Sequence, residues 1–313
     1  MLFESLLLVV GLVFLYFGGD WLVDGASRLA VSLGMSTFVI GLTIVAMGTS
    51  APEATLAVVS TLEGEPSIAF GNIVGSNIAN IGLVLGVSCF IYPLTVKLQL
   101  LRKEVVCLVI SLLAMAVLGL DGHFSRADAL ILLTAAVAFN IFILRAARAA
   151  RPSQRKAGKD AVSAYRDRWR YLALLFIGIL LLVIGSQLVL MGAVGIATSL
   201  GVDQFIIGLT VVAVGTSLPE LAVSISSACR KDNSLLFGTI LGSNISNSLL
   251  VLGLASAVGS IGVPAEFYNI TLPFTLILYG TLIVFMFMKN SLDRRTSFIL
   301  LITYALYTIL VII

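Results

Sequence analysis

Residues 18–80 align with residues 185–247 at a constant offset of 167 positions and without a gap. The agreement is concentrated in two blocks. Ile40-Gly-Leu-Thr-Ile-Val-Ala-Met-Gly-Thr-Ser-Ala-Pro-Glu53 and Ile207-Gly-Leu-Thr-Val-Val-Ala-Val-Gly-Thr-Ser-Leu-Pro-Glu220 are identical at eleven of fourteen positions. Gly71-Asn-Ile-Val-Gly-Ser-Asn-Ile-Ala-Asn80 and Gly238-Thr-Ile-Leu-Gly-Ser-Asn-Ile-Ser-Asn247 are identical at seven of ten. Polar residues dominate these identities, so a shared preference for apolar helix formers does not account for them. A repeat of this length has to be treated as one structural unit used twice.

The repeat is set in a chain of 313 residues that is 59% hydrophobic and 11% charged. About 20 mostly apolar residues are needed to cross about 30 Å of hydrocarbon. Ten such stretches are predicted near 3–30, 36–62, 66–93, 102–121, 127–148, 170–197, 203–229, 233–260, 267–288 and 295–313. The expected fold class is an all-α membrane protein of ten transmembrane helices, with little chain left for a soluble domain. One period holds five crossings, an odd number, so the second copy must enter the bilayer from the opposite face. The reading is therefore two inverted five-helix repeats, residues 1–149 and 170–313, joined by a basic cytoplasmic linker at 150–169. Inverted repeats are characteristic of secondary transporters, with the substrate site near the midplane where interrupted helices meet.

Orientation follows from the excess of bases on cytoplasmic loops. With both termini outside, eighteen of the nineteen bases fall inside, nine of them between Arg145 and Arg170, and only Arg126 falls outside. Glu4, Glu63, Glu65, Asp121, Asp128, Asp203 and Glu266 then lie on the outer face. Glu4 stands where a secretory signal would carry bases, so the first apolar stretch is expected to be retained as helix one. Cys89, Cys107 and Cys229 have no paired spacing and are read as packing residues. His123, the single histidine, falls in a short loop, which leaves an intramembrane hydrolase without a base or a metal set. A cation channel would favour rings of ligands around a pore axis, whereas here two half-sites converge.

Glu53 and Glu220 are read as the acids well inside spanning segments, with no lysine or arginine at matching depth. A buried carboxylate needs a partner, and a bound cation is the natural one. Just upstream, Pro52 and Pro219 lack an N–H, which frees the carbonyls of Gly48 and Gly215 and should break each helix, pushing Ala51 and Leu218 out of helical conformation. Ser50 with Glu53, and Ser76 with Asn80, share helical faces, as do Ser217 with Glu220 and Ser243 with Asn247. These are hard oxygen donors suited to sodium or calcium. Gly71 with Gly75, and Gly238 with Gly242, are small-residue pairs expected to let helices approach closely. Asp20 and Asp24 are matched by Gln187 and Met191, and their lack of repetition points to a structural place or one at the channel mouth.

The paired motifs Gly48-Thr-Ser-Ala-Pro-Glu53 and Gly215-Thr-Ser-Leu-Pro-Glu220, each followed by Gly-Ser-Asn, resemble the alpha repeats of the calcium/cation antiporter superfamily, and most closely its compact prokaryotic sodium/calcium exchangers. That resemblance implies a diamond of four ion sites with Glu53 and Glu220 at its centre. It implies calcium held with the carbonyls of Thr49 and Thr216. It further implies sodium at Ser50, Ser217, Ser76 and Ser243 with the carbonyls of Ala46 and Ala213, and a middle position completed by Asn80 and Asn247. Relatives often carry aspartate at the position of Asn247, which argues against a potassium-dependent subtype and leaves proton/calcium exchange as the alternative. What it implies for function is electrogenic exchange, three sodium ions per calcium, in a prokaryotic cell membrane. The lipid bilayer and the two transported ions are the expected partners. No cofactor, nucleic acid or oligomer is implied.

With cysteines introduced at Ser153 and Glu4, an impermeant thiol reagent applied to intact cells should label position 4 and spare position 153. The opposite pattern would invert the topology.

Overall fold

The computed structural model describes residues 1–95, 98–149, 167–201, 213–289 and 291–312. It is all-helical apart from four two-residue strands. The helices are α1 (Leu2–Leu33), the pair α2 (Thr37–Thr49) and α3 (Ala51–Leu62), α4 (Pro66–Ile91), α5 (Leu98–Leu118) and α6 (Arg126–Ala149). They continue with α7 (Arg168–Ser199), α8 (Ala213–Thr216), α9 (Leu218–Cys229), α10 (Asn233–Val258), α11 (Phe267–Met288) and α12 (Arg294–Ile312). Among the described residues eight helices are long and apolar enough to cross a bilayer, and α2 with α3 makes a ninth span bent by 41°. The expected span 203–229 is described only from residue 213, and most of the expected linker, with Lys97, lies outside the described residues. Broad apolar faces of α1, α5, α6 and α12 are exposed, as a multi-pass membrane protein requires where lipid replaces water.

Local sequence explains the element ends. Ser36 accepts a hydrogen bond from the amide of Val39 at the start of α2, and Asp232 accepts one from Leu235 at 2.9 Å at the start of α10. Gly34, at φ 61°, closes α1 in the left-handed conformation open to glycine. Pro66 opens α4, where a missing N–H costs nothing. Two small ladders tie loops together. Leu94–Thr95 pairs with Ser291–Leu292, and His123–Phe124 pairs with Ile261–Gly262.

Two helices, α4 and α10, are buried along most of their length and carry the main apolar core, including Ile73, Ile78, Leu85, Ile240, Leu241 and Leu252. A second cluster lies beneath α1, around Leu15, Leu22, Leu29 and Val223. Elements recur at the repeat offset. Ala51–Leu62 matches Leu218–Cys229, and π-helical turns begin at both Asn80 and Asn247. Corresponding helices also run antiparallel where they touch, α4 crossing α10 with Asn77 at Ser248 and Asn80 at Asn244.

The longest such contact joins α1 to α7. Gly11, Gly18 and Gly25 recur every seventh residue, and Gly178, Gly185 and Gly192 are their counterparts at the repeat offset. A Cβ on Gly11 would lie 2.7 Å from the Gly185 carbonyl oxygen, and one on Gly178 would lie 2.7 Å from the Leu22 nitrogen. Backbone therefore meets backbone along a smooth track. The glycine pair of α10 behaves as expected, with Gly238 against the Phe38 carbonyl and Gly242 against that of Leu42. Gly71 and Gly75 do not, since among the described residues nothing comes within 4 Å of a Cβ built there. Their counterparts pack on α2, and the residues corresponding to that part of α2 fall in 202–212, outside the described residues.

Overpacking a tight contact costs about 1–3 kcal/mol, so Gly18→Leu should lower the melting temperature in detergent by several degrees. Gly280→Ala, with nothing within 4 Å of its Cβ, should leave it unchanged, and equal effects at the two positions would dismiss the track as a constraint.

Candidate functional site

The two helix breaks shape the site. The sequence placed them at Ala51 and Leu218, but both residues are the first of their new helices. The discontinuity falls one residue earlier, at Ser50 (φ −83°, ψ 8°) and Ser217 (φ −87°, ψ 6°). Amides in the first turn of a helix need no intrahelical acceptor, so Pro52 and Pro219 fit the second position of α3 and α9 and leave the preceding serine to absorb the bend. Ser50 N still bonds to the Ala46 carbonyl at 3.0 Å, whereas Ser217 N turns to Val214 O at 3.1 Å, a tighter turn. The Ala46 carbonyl also accepts from Thr49 Oγ1 at 3.3 Å.

Each break delivers a glutamate into the first turn of the following helix, with the positive end of the helix dipole beside it. Both carboxylates are fully buried. Ser50 does not serve the glutamate of its own helix. Its hydroxyl donates to Glu220 Oε1 at 3.2 Å, joining the two halves, and Thr49 Oγ1 lies 3.3 Å from Ser243 Oγ in a second cross-half contact. The Ser76 hydroxyl faces Glu53, and those of Thr49 and Ser243 face Glu220. Asn72 Nδ2 donates to the Glu53 carbonyl at 3.4 Å, anchoring α3 to α4.

Most of the remaining oxygens have no protein partner. Both carboxylate oxygens of Glu53, Oε2 of Glu220, the hydroxyls of Ser76 and Ser217, Oδ1 of Asn80 and both amide heteroatoms of Asn247 are buried without a hydrogen bond. Buried polar groups are ordinarily satisfied, and so many unpaired oxygens around two carboxylates fit a group that only accepts lone pairs, a hard cation. Among the described residues no basic side chain pairs with either glutamate. Arg230 instead bonds Asp20, with Nε 3.1 Å from Oδ1, and lies 3.6 Å from Asp24, which also takes Arg28 at 2.9 Å. Asp20 and Asp24 thus serve as structural anchors. His123 is exposed in its turn, 3.8 Å from Asp121.

Ten of the twelve expected site residues are described with their side chains packed in the core of the molecule. Of the other two, Thr216 is buried at the end of α8, and Ala213 opens that helix with its side chain outside the described residues. Sequence reasoning missed Asn77, Asn244 and Ser248: Asn244 accepts from Asn80 and donates to the Asn77 carbonyl, and Asn77 donates to Ser248. The first two lie inside the matched Gly-Ser-Asn block, where their identity was read as motif without a role. It also passed over Glu104 in α5, whose Oε2 is buried without a partner beside Lys103.

A family model described as "Sodium/calcium exchanger protein" matches residues 3–145 and 170–313. An uncharacterized membrane protein of Methanocaldococcus jannaschii is 37% identical over 308 residues, covering 96% of this chain and 94% of that protein. The sodium/calcium exchanger MaX1 of Methanosarcina acetivorans is 29% identical over 339 residues, covering 97% of each. The solved structure of the sodium-calcium exchanger NCX_Mj soaked with 10 mM Na+ and 10 mM Sr2+ superposes with a TM-score of 0.84 at 32% identity, covering 97% of each chain.

Two buried charges without counter-charges strain the cation-free protein. Glu53→Gln and Glu220→Gln should each raise the melting temperature measured in chelator and remove the rise that calcium gives the parent. Asp20→Asn, which breaks a partly exposed ion pair, should keep the calcium response. Either glutamine variant that calcium still stabilises like the parent would take the carboxylates out of the site.

Proposed function

This chain belongs to the sodium/calcium exchanger family, and on that premise we propose that it is a secondary antiporter that exchanges sodium for calcium across a prokaryotic cell membrane by alternating access. The observation that carries the reading is the buried pair Glu53 and Glu220, unpartnered by any described base and ringed by hydroxyl and amide oxygens from both halves.

Calcium takes 6–8 oxygens. Two bidentate carboxylates with the carbonyls of Thr49 and Thr216 supply six. Sodium, smaller in charge, is shared among the flanking serines Ser50, Ser217, Ser76 and Ser243, the carbonyls of Ala46 and Ala213, and a middle position at Asn80 and Asn247. The same carboxylates cannot serve calcium and a full sodium set together, so loading one expels the other. That competition couples the two fluxes.

Alternating access needs a moving part. The antiparallel contacts of α1 with α7 and of α4 with α10 support two inverted repeats, 1–149 and 170–313, of ten crossings in all. The glycine track lets α1 and α7 travel as one body over the core. Their packing is asymmetric, because α1 lies on α9, with Gly19 against the Ala222 carbonyl, while α7 makes no comparable packing against α3. At the end of α9, Arg230 grips Asp20 and Asp24, and Asp232 accepts from Ser27 at 3.3 Å and Thr37 at 2.9 Å. At the repeat offset these positions read Glu63 for Arg230, Gln187 for Asp20 and Met191 for Asp24, so the ion pairs of the clasp have no counterpart there. With the bases inside and the termini outside, the arrangement is one closed toward the cytoplasm.

Asn247, neutral like Asn80, favours proton/calcium exchange as the second reading. Vesicles loaded with sodium and then assayed for calcium uptake, against vesicles carrying only a proton gradient, separate the two.

Two ionised glutamates carry −2. One calcium brings the loaded site to 0, three sodium ions bring it to +1, and one net charge crosses per cycle. An elementary charge is worth about 2.3 kcal/mol per 100 mV, so an inside-positive diffusion potential should speed calcium uptake driven by internal sodium and an inside-negative one should slow it. Indifference to voltage would rule out a three-to-one exchange through two ionised carboxylates.

A further inference from the structure

Amide oxygen and nitrogen are nearly the same size, so a buried asparagine presents an oxygen to a cation only if something fixes which way its amide faces. Asn80 has such a fixture. A backbone carbonyl can only accept, so the Asn77 carbonyl, 3.3 Å from Asn244, must meet its Nδ2. That turns Asn244 Oδ1 toward Asn80, and the atom of Asn80 that meets it at 3.1 Å must be Nδ2. Asn80 Oδ1 is then the atom left over, buried without a partner on the face Asn80 shares with Ser76. The buried Tyr279 hydroxyl faces Asn244 from α11.

The other half lacks this relay. The corresponding chain would run from the Asn244 carbonyl through Asn77 to Asn247. Instead Asn77 Nδ2 donates to Ser248 Oγ at 3.0 Å, and Ser248 stands where the first repeat has Ile81. Asn77 Oδ1 and both heteroatoms of Asn247 are left without partners.

We infer that Asn244 is a positioning residue that locks Asn80 as a fixed oxygen ligand of the ion pocket, while Ser248, by diverting Asn77, leaves the amide of Asn247 free to turn. One middle ligand is thereby preset for a cation and the other adjusts to the ion that is loaded. The inference rests on the exchanger reading for what the pocket binds.

Asn244→Leu removes the relay at nearly constant volume. The sodium concentration giving half of the sodium-dependent rise in melting temperature should increase about fivefold, the order expected for weakening one charge-assisted contact. Half-saturating sodium for calcium exchange in vesicles should rise with it, with a smaller change in maximal rate. The decisive comparison is made in an Asn80→Asp background. There both branches are oxygens, orientation no longer matters, and Asn244→Leu should add no further shift. If Asn244→Leu does not yield a monodisperse protein, Asn244→Ala is read in the same way. A normal sodium response in the single variant, or an equal shift in both backgrounds, overturns the positioning role. Absence of sodium-driven calcium uptake by the parent would instead overturn the exchanger reading, leaving the thermal titration to judge Asn244.

Discussion

Two carboxylates are buried in the middle of the molecule with no described base beside them, and the rest of the architecture is arranged around that fact. Burying a single carboxylate without a partner costs several kcal/mol, and a second of the same sign adds repulsion. Both helix breaks reduce that penalty. Each ends a helix so that the next begins beside the glutamate, directing the unpaired amides of a helix start and the positive end of its dipole at the charge. The Ser50 hydroxyl, from the opposite half, supplies one further donor to Glu220. What remains uncompensated is a surplus of acceptors, and that surplus is what supports the proposed cation site.

Holding the two breaks face to face demands that α4 and α10 stay rigid while α1 and α7 do not bind them tightly. The sequence meets both demands with different side chains. The crossing of α4 with α10 is filled by Ile, Leu and Phe and stitched by buried asparagines. The pairing of α1 with α7 uses glycines every seventh residue, which bring the two backbones into direct contact and present lipid-facing apolar surface on the other side. The polar clasp from Arg230 and Asp232 to α1 holds one end, and its ion pairs have no counterpart at the repeat offset, where Glu63 stands for Arg230.

Spans were legible because hydrophobic length is a one-dimensional signal, and nine of the ten expected crossings coincide with described helices to within a few residues. The glutamates were legible because duplication set them apart from every other acid. The breaks were misplaced by one residue, since the rule for residues before proline competes with the tolerance of a first helical turn for a missing N–H, and in both halves the helix start prevailed. The partner of Ser50 was not legible, because spacing along one helix says nothing of a neighbour 170 positions away. Asn77 and Asn244 stood in a matched motif, but a relay through a backbone carbonyl has no counterpart in sequence.

In the proposed exchange, coupling comes from the same penalty that burying two unpaired carboxylates incurs. On that proposal, moving the core past the α1–α7 pair would carry the pocket from one aqueous phase to the other through a stage sealed from both. An empty pocket would bring two uncompensated negative charges into that sealed stage, where the effective dielectric is low and each charge has lost its water. A pocket holding calcium is neutral and passes. A pocket holding a single sodium ion would still be negative, and in the proposed mechanism the hydroxyl and amide positions around the glutamates let several monovalent ions collect before the site closes. Neutral asparagines at both proposed middle positions would add oxygens without adding charge, which leaves the electrostatic threshold for closure to the two glutamates.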